Sequence, residues 1–279
     1  MKNCKITENK VEVSVVVPTY NAAKFLHETI LSILEQQDVN LELLIVDDCS
    51  DDETEVIIKE FASNDRRVRY LRMASNTGGP AGPRNYGVNN ARGFWIAFCD
   101  ADDLWHPQKL RQQIDIAHRD RADLVCSAIE DFVNDNKSIL TNNELIGNLA
   151  LKRMPYWQML IKNRIATSSV LCRREVLLQS GGFNKSSKLV AVEDYDLWLR
   201  MMERRNFIVL RIGIPLVAYR RLPQSLSSNK LRLARRAMLV TWLASKRRGW
   251  FLVYPILLPL LFTGYSFMSL YWRVLKGKM

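Results

Sequence analysis

Four short apolar runs alternate with segments of helical period over the first hundred residues, and this alternation constrains the chain more than any other feature. Val13–Pro18 (VSVVVP) is β-branched and stops at a proline. Leu41–Val46 (LELLIV), Val68–Leu71 and Phe94–Phe98 (FWIAF) follow at intervals. Runs this short and this apolar read as strands buried on both faces. Between them, FLHETILSILEQQ carries Phe25, Leu26, Ile30, Ile33 and Leu34 at helical spacing, and Thr54 to Phe61 turns Val56, Ile57 and Phe61 inward. Asn76–Arg84 (NTGGPAGPR) reads as a Gly/Pro loop before a short helix from Tyr86 to Ala91. The order β-α-β-α-β-α-β predicts a doubly wound, mostly parallel α/β sheet of Rossmann-like type.

Ligands of open α/β sheets bind at the carboxyl ends of the strands. There the first strand runs into Thr19-Tyr20-Asn21, the second into Asp47-Asp48-Cys49-Ser50, and the fourth, through Cys99, into Asp100-Ala101-Asp102-Asp103. Three carboxylates within four residues repel one another unless a cation or a donor partners them. Hard oxygen ligands suit Mg²⁺ or Mn²⁺, metals that commonly bridge to substrate phosphates. An aromatic can stack on a base, and a carboxylate can accept from a base N–H. The plainer account is that Asp100–Asp103 caps the helix begun by Pro107, and that Ser50 or Asp51 caps the helix from Thr54 to Phe61. Neither a GxGxxG fingerprint nor a P-loop is present to hold phosphates. Arg84, beside the Gly/Pro loop, has the fork that matches phosphate oxygens, and is otherwise a solvated surface residue.

Four segments, VSVVVPTYNAAKFLHETILSILEQ, LLIVDDCSDDET, GPRNYGVNNARG and IAFCDADDLWHPQKL, resemble in order and spacing the motifs of glycosyltransferase family 2, over residues 12–228. The resemblance implies the A-type glycosyltransferase fold, with a nucleotide-binding half at 12–104 and an acceptor-binding half at 105–228. It implies that Pro18, Thr19, Tyr20 and Asp48 line the nucleotide, with Tyr20 and Asp48 at a uracil. Asp100 is then expected at the ribose and the divalent cation, Mn²⁺ or Mg²⁺, with Asp102 its principal ligand and Asp103 supporting the loop.

Further along, Asp123–Phe132 and Ala166–Cys172 read as strands and Pro155–Ile161 as a short amphipathic piece, while the polar stretch Asn134–Asn148 has no readable period. In LVAVEDYDLWLRMM, Glu193 and Asp194 open a helix, where acids favour the dipole. The resemblance makes this the family's ED motif, with Asp194 the general base and Glu193 supporting it. One base and one cation suffice for an inverting transfer to a hydroxyl. The processive motif QxxRW is absent. Near the domain's end the chain reads Tyr219-Arg220-Arg221-Leu222, with Leu where many relatives place His. His27, His106 and His118 are expected in structural or surface roles.

The net charge of +11 sits almost wholly in the tail: Ser225–Met279 holds ten Lys or Arg and no acid. Lys230–Arg248 interleaves seven cations with Leu231, Leu233, Met238, Leu239, Trp242 and Leu243, which reads as a basic amphipathic, membrane-surface helix over 229–249. Trp250–Trp272 then carries no charge and has aromatics at both ends, as membrane-interface belts do. It exceeds the ~20 residues that span a bilayer. Pro255 and Pro259 leave a spanning helix and a re-entrant or interfacial hairpin both open within 250–279. An apolar run and an acidic crevice argue against nucleic acid as partner. Five scattered cysteines suit a reducing compartment, and the polar extension 1–11 lacks a signal peptide's apolar core.

The expectation is a metal-dependent hexosyl- or N-acetylhexosaminyltransferase at the cytoplasmic face of a bacterial plasma (inner) membrane. It would use a nucleotide sugar of UDP type and a polyprenyl-diphosphate-linked saccharide acceptor, on the way to O-antigen or capsule. The alternatives are a polyprenyl-phosphate sugar synthase of the same fold and a non-catalytic, membrane-tethered scaffold.

Overall fold

The computed structural model describes residues 10–132, 150–222 and 229–250. The alternation in the sequence becomes β1 (Val13–Thr19), α1 (Ala23–Leu34), β2 (Leu41–Asp47), α2 (Thr54–Asn64), β3 (Val68–Arg72), α3 (Ala81–Asn90) and β4 (Trp95–Phe98). These four strands pair in parallel in the order β3-β2-β1-β4. Odd and even residues of β1 serve opposite faces, as strand geometry requires. Val13, Val15 and Val17 pack with Leu26, Ile30 and Ile33 of α1. Val16 packs on the other side with Val88 of α3.

α3 begins inside what the sequence presents as a loop. Pro80 stands at its N-cap and Pro83 in its first turn, where a missing N–H costs nothing because those donors have no intrahelical partner. Gly87 lets α3 lie against the sheet, since a Cβ there would come within 2.5 Å of Val16. Asp52, rather than Ser50 or Asp51, turns its carboxylate to the start of α2 and accepts from Thr54 N (3.0 Å).

The second half departs from the parallel expectation. β5 (Leu104–Trp105), which no periodicity announced, follows the acidic turn and leads to α4 (Lys109–Arg119). Then come β6 (Leu124–Phe132), β7 (Leu151–Arg153), α5 (Tyr156–Ile161), β8 (Leu171–Arg173), α6 (Arg174–Gln179), α7 (Glu193–Met202), β9 (Val209–Arg220) and α8 (Lys230–Arg247). The sheet continues past β4 as β8-β6-β9-β5, with β7 also on β9. Here β8 is antiparallel to both neighbours, β5 and β7 are antiparallel to β9, and only β6 and β9 run parallel. The sheet is therefore mixed, and it crosses between the two halves without a break. The strand expected over Ala166–Cys172 is instead a 3-10 turn at Thr167–Ser169 followed by the short β8.

α8, expected as a basic amphipathic helix, packs one face on the body of the protein. Val240 and Ala244 are buried in the core with Trp198 and Met201 of α7. Arg247 pairs with Asp196 (3.3 Å) and Glu203 (2.9 Å). Leu231, Met238 and Trp242 remain exposed. Among the described residues no helix is long and apolar enough to cross a membrane. The expectations for 1–9, for the loop 134–148 and for 251–279 lie outside the described residues.

Candidate active site

The carboxyl ends of β1, β2 and β4 form one edge, with Thr19 of β1 in register with Asp47 of β2. The residues gathered there differ sharply in what they present. Tyr20 is 53% exposed. Pro18 is buried within β1, and the Thr19 hydroxyl turns into the sheet to donate to Val46 O (3.2 Å). Asp47 holds the turn, accepting from Ser50 N and Oγ (2.9 and 2.6 Å) and from Tyr70 and Arg72 (3.2 Å each). Asp48 is 3% exposed, and its oxygens accept from Thr77 N and Oγ1 at 3.0 Å. Burial raises its pKa. In this arrangement Asp48 organises the loop at 76–80 rather than presenting an open carboxylate.

At the end of β4 the three acids separate in kind. Asp103 is fully buried, accepting from Ser168 Oγ (2.5 Å) and from Arg220 N (3.0 Å). Burial, then the charges of Asp100 and Asp102, push its carboxyl well above the usual range. Asp102 is half-buried, and burial with the Asp100 charge pushes its carboxyl up to about 6. Asp100 gives one oxygen to Arg84 (2.7 Å). Its other oxygen and the Asp102 carboxylate make no side-chain hydrogen bond among the described residues, although Arg84 pairs with Asp100 and the Arg220 charge acts on Asp102.

That donor set suits a hard divalent cation, which is typically held by one or two carboxylates and completed by substrate phosphates. Among the described residues no group of three or more His, Cys, Asp or Glu side chains is placed to hold a metal unaided.

Arg84 corrects an expectation. It is 4% exposed, and its two terminal nitrogens donate to Asp100 Oδ1 and Glu193 Oε1, each at 2.7 Å. Its guanidinium also stacks at 5.3 Å from the Phe183 ring centroid. Burial works against the charge, but Asp100 and Glu193 outweigh it and hold the pKa above the usual arginine value. A guanidinium so enclosed has no free fork for a phosphate; it ties the end of β4 to the start of α7.

At the far end of that tie stands Asp194. Its Oδ2 accepts from Thr167 Oγ1 (3.0 Å) and Asn163 Nδ2 (3.2 Å), and its Oδ1 from Tyr195 N (2.6 Å). Burial, then the Glu193 charge, push its carboxyl up to about 6. A carboxylate of this kind is ionised near neutrality yet basic enough to take a proton.

Arg220, quoted in the sequence only as part of a departing pattern, clamps the acidic turn. It donates from Nε to Asp102 O (3.0 Å) and from Nη2 to Glu28 (3.2 Å), between the rings of Phe25 and Phe132 (4.5 Å each). Ser168, Asn163, Thr167 and Thr77 were likewise unmarked. Ser168 joins Asp103 to the backbone N of Asp100 (3.0 Å). No short-range pattern signals such contacts, which join residues 27 to 192 positions apart. Of the histidines, His106 is buried and His27 packs its ring, tilted, on Phe61 (5.1 Å). Cys49, Cys99, Cys126 and Cys172 are free thiols.

The profile of "Glycosyl transferase family 2" matches residues 14–178. The chain belongs to glycosyl transferase family 2. Among curated relatives of this family 2 chain, UDP-Glc:alpha-D-GlcNAc-diphosphoundecaprenol beta-1,3-glucosyltransferase WfgD of Escherichia coli is 32% identical over 225 residues, covering 80% of this chain and 83% of WfgD. Two solved structures show the family's fold. TarS 1-349 of S. aureus in complex with UDP superposes with a TM-score of 0.64 at 18% identity, covering 84% of this chain and 65% of that one. The mannosyltransferase PcManGT of Pyrobaculum calidifontis, in complex with GDP-Man and Mn²⁺, gives 0.63 at 20% identity, covering 85% and 65%. This family 2 chain is a glycosyltransferase of the A-type, Rossmann-like α/β fold.

Proposed function

We propose that the enzyme transfers a sugar from a UDP-sugar, with inversion and with a divalent cation, to a hydroxyl of a polyprenyl-diphosphate-linked saccharide in bacterial cell-surface polysaccharide synthesis. The observation that carries this is the pairing of two unlike acid sites through one buried arginine. Asp100 and Asp102 stand at the strand end, Asp194 stands at the helix start, and Arg84 with Glu193 spans them. WfgD, whose name gives a UDP-glucose donor and a diphosphoundecaprenol-linked acceptor, supports the choice of substrates.

Tyr20, exposed beside β1, stacks on the base. Asp100 and Asp102 would hold a divalent cation, for which the Mn²⁺ in the mannosyltransferase structure is a precedent. A cation bound there would supply positive charge to the departing diphosphate. Asp194 accepts the proton of the acceptor hydroxyl as its oxygen bonds to C1 of the sugar, and the bond from C1 to the diphosphate oxygen breaks with its electrons leaving on UDP. Asn163 and Thr167 hold the Asp194 carboxylate in place for this. A basic carboxylate is of use to a hydroxyl acceptor and of little use to a lipid phosphate, whose oxygen is already ionised; this favours the saccharide acceptor over a polyprenyl-phosphate synthase. Membrane attachment at the cytoplasmic face would run through the exposed Leu231, Met238 and Trp242 with the surrounding cations of α8, and through the uncharged stretch 250–272.

The test is a panel of UDP-, GDP- and dTDP-sugars with Mn²⁺, Mg²⁺ or a chelator, read by binding and donor hydrolysis. Metal-dependent binding of UDP-sugars, lost in Asp102→Ala, is expected. No binding of any nucleotide sugar in the presence of metal would sink the reading.

A further inference from the structure

A cavity of about 360 Å³ lies between β7, α5 and β9, shares no lining residue with the acidic crevice, and its wall includes Lys152, Arg153, Trp157, Gln158, Arg164 and Arg211. Four of these are cations, and no carboxylate lines it. The strand register makes the charge unusual, because Lys152 of β7 stands directly opposite Arg211 of β9. Like charges so placed on antiparallel strands repel. Among the described residues, no carboxylate pairs with any of the four. The Nε atoms of Arg164 and Arg211 are buried without an acceptor. A buried donor left without a partner is costly, and two of them, beside the exposed Lys152 and Arg153, suit an anion. Arginine forks match phosphate oxygens. A space of this volume admits more than a single phosphate.

Position narrows the ligand. Arg164 directly follows Asn163, whose amide touches Asp194 (3.2 Å). On the other side, Tyr156 of α5 meets Trp250 edge-on (6.4 Å), with Arg248 over both rings (4.5 and 5.0 Å). Trp250 is where the uncharged run of the sequence begins. Trp157, at the cavity, is 60% exposed. The cavity is thus linked through neighbouring residues both to the candidate base and to the point where the chain turns apolar.

We propose that this cavity binds the diphosphate of a prenyl lipid, the anchor of the acceptor saccharide. The proposal rests on the lipid-linked acceptor of the preceding section. It adds the site that holds the anchor while the sugar hydroxyl reaches Asp194.

The experiment uses the full chain in detergent with chelator, so that no cation bridges a diphosphate to Asp100 and Asp102. Farnesyl diphosphate, inorganic pyrophosphate and phosphatidylglycerol vesicles are titrated against the wild type, Arg164→Gln, Arg211→Gln and Arg164→Lys. UDP binding with Mn²⁺ is measured in parallel as the check on folding. The expected result is farnesyl diphosphate binding that weakens at least tenfold in each Gln variant and partly recovers in Arg164→Lys, with UDP binding unchanged. If a Gln variant fails to bind UDP, Lys152→Gln, on an exposed residue, gives the same reading. Farnesyl diphosphate binding that ignores the substitutions overturns the proposal. So does pyrophosphate binding as tight as the prenyl ester, which makes the cavity a free-anion site. Variant-sensitive binding of the vesicles alone also overturns it, by assigning the cavity to bilayer headgroups. Should the wild type bind farnesyl diphosphate through these arginines but no UDP, the lipid site stands and the UDP-sugar reading falls.

Discussion

In the β3-β2-β1-β4 half of the sheet, each residue at the crevice stands within a few positions of the strand that carries it. In the β8-β6-β9-β5 half, the residues that complete the site arrive from distant parts of the chain. Asp103 is held by Ser168 and Arg220, Asp194 by Asn163 and Thr167, and Asp100 is joined to Glu193 by Arg84. The first half places acids where a substrate can meet them; the second fixes which of those acids are free. Of three carboxylates within four residues, Asp103 is locked into the fold, Asp100 is half committed, and Asp102 makes no side-chain hydrogen bond among the described residues. Equal sequence proximity to a ligand site therefore does not mean equal role.

The widest split between the halves should come from Asp102→Ala and Asp194→Asn. Both are expected to lower turnover by about 10³-fold. Only Asp102→Ala should also abolish metal-dependent UDP binding. Isothermal titration beside steady-state kinetics separates them, and loss of UDP binding in Asp194→Asn would break the division of labour.

The tie between the halves is the next target. Removing one partner of a buried ion pair costs about 3–5 kcal/mol. Arg84→Met should therefore lose stability on that scale in urea unfolding, and Arg84→Met with Glu193→Gln should lose less, because the double change leaves fewer unpaired charges. Equal losses would show that Arg84 acts through packing on Phe183 instead.

Tyr20→Ala should weaken UDP binding by ~1–3 kcal/mol, the range for an aromatic stacked on a base. Being exposed, Tyr20 should leave the unfolding midpoint unmoved. A stability loss equal to the binding loss would assign it to the fold.

The smallest effect is a displacement along the pH axis. Asp194 titrates at about 6, raised by burial and by Glu193. Turnover that needs it ionised should rise with pH and level off above about 6. In Glu193→Gln the like charge is gone, so the acid limb should move to lower pH. Stability runs the other way: a carboxyl raised in the folded state stabilises it below the unfolded value and loses that contribution as pH rises through about 6. An acid limb unmoved in Glu193→Gln would remove Glu193 from the electrostatics of the base.

The buried β-branched runs, the helical periods between them and the placing of Asp47-Asp48 and Asp100–Asp103 at strand ends were all legible in the residues, because strand and helix periodicity and turn chemistry act over neighbouring positions. So was the opening of a helix at Glu193-Asp194. Three things were not. The antiparallel β8 and the two-residue β5 owe their existence to partners on β4, β6 and β9 rather than to their own short sequences. The enclosure of Arg84, which removes it from the phosphate, depends on Glu193 more than a hundred positions away. The facing of Lys152 and Arg211 is a fact of strand register. Local composition decides which segments can be strands and helices; only long-range packing decides which charges are spent inside the molecule and which remain for a ligand.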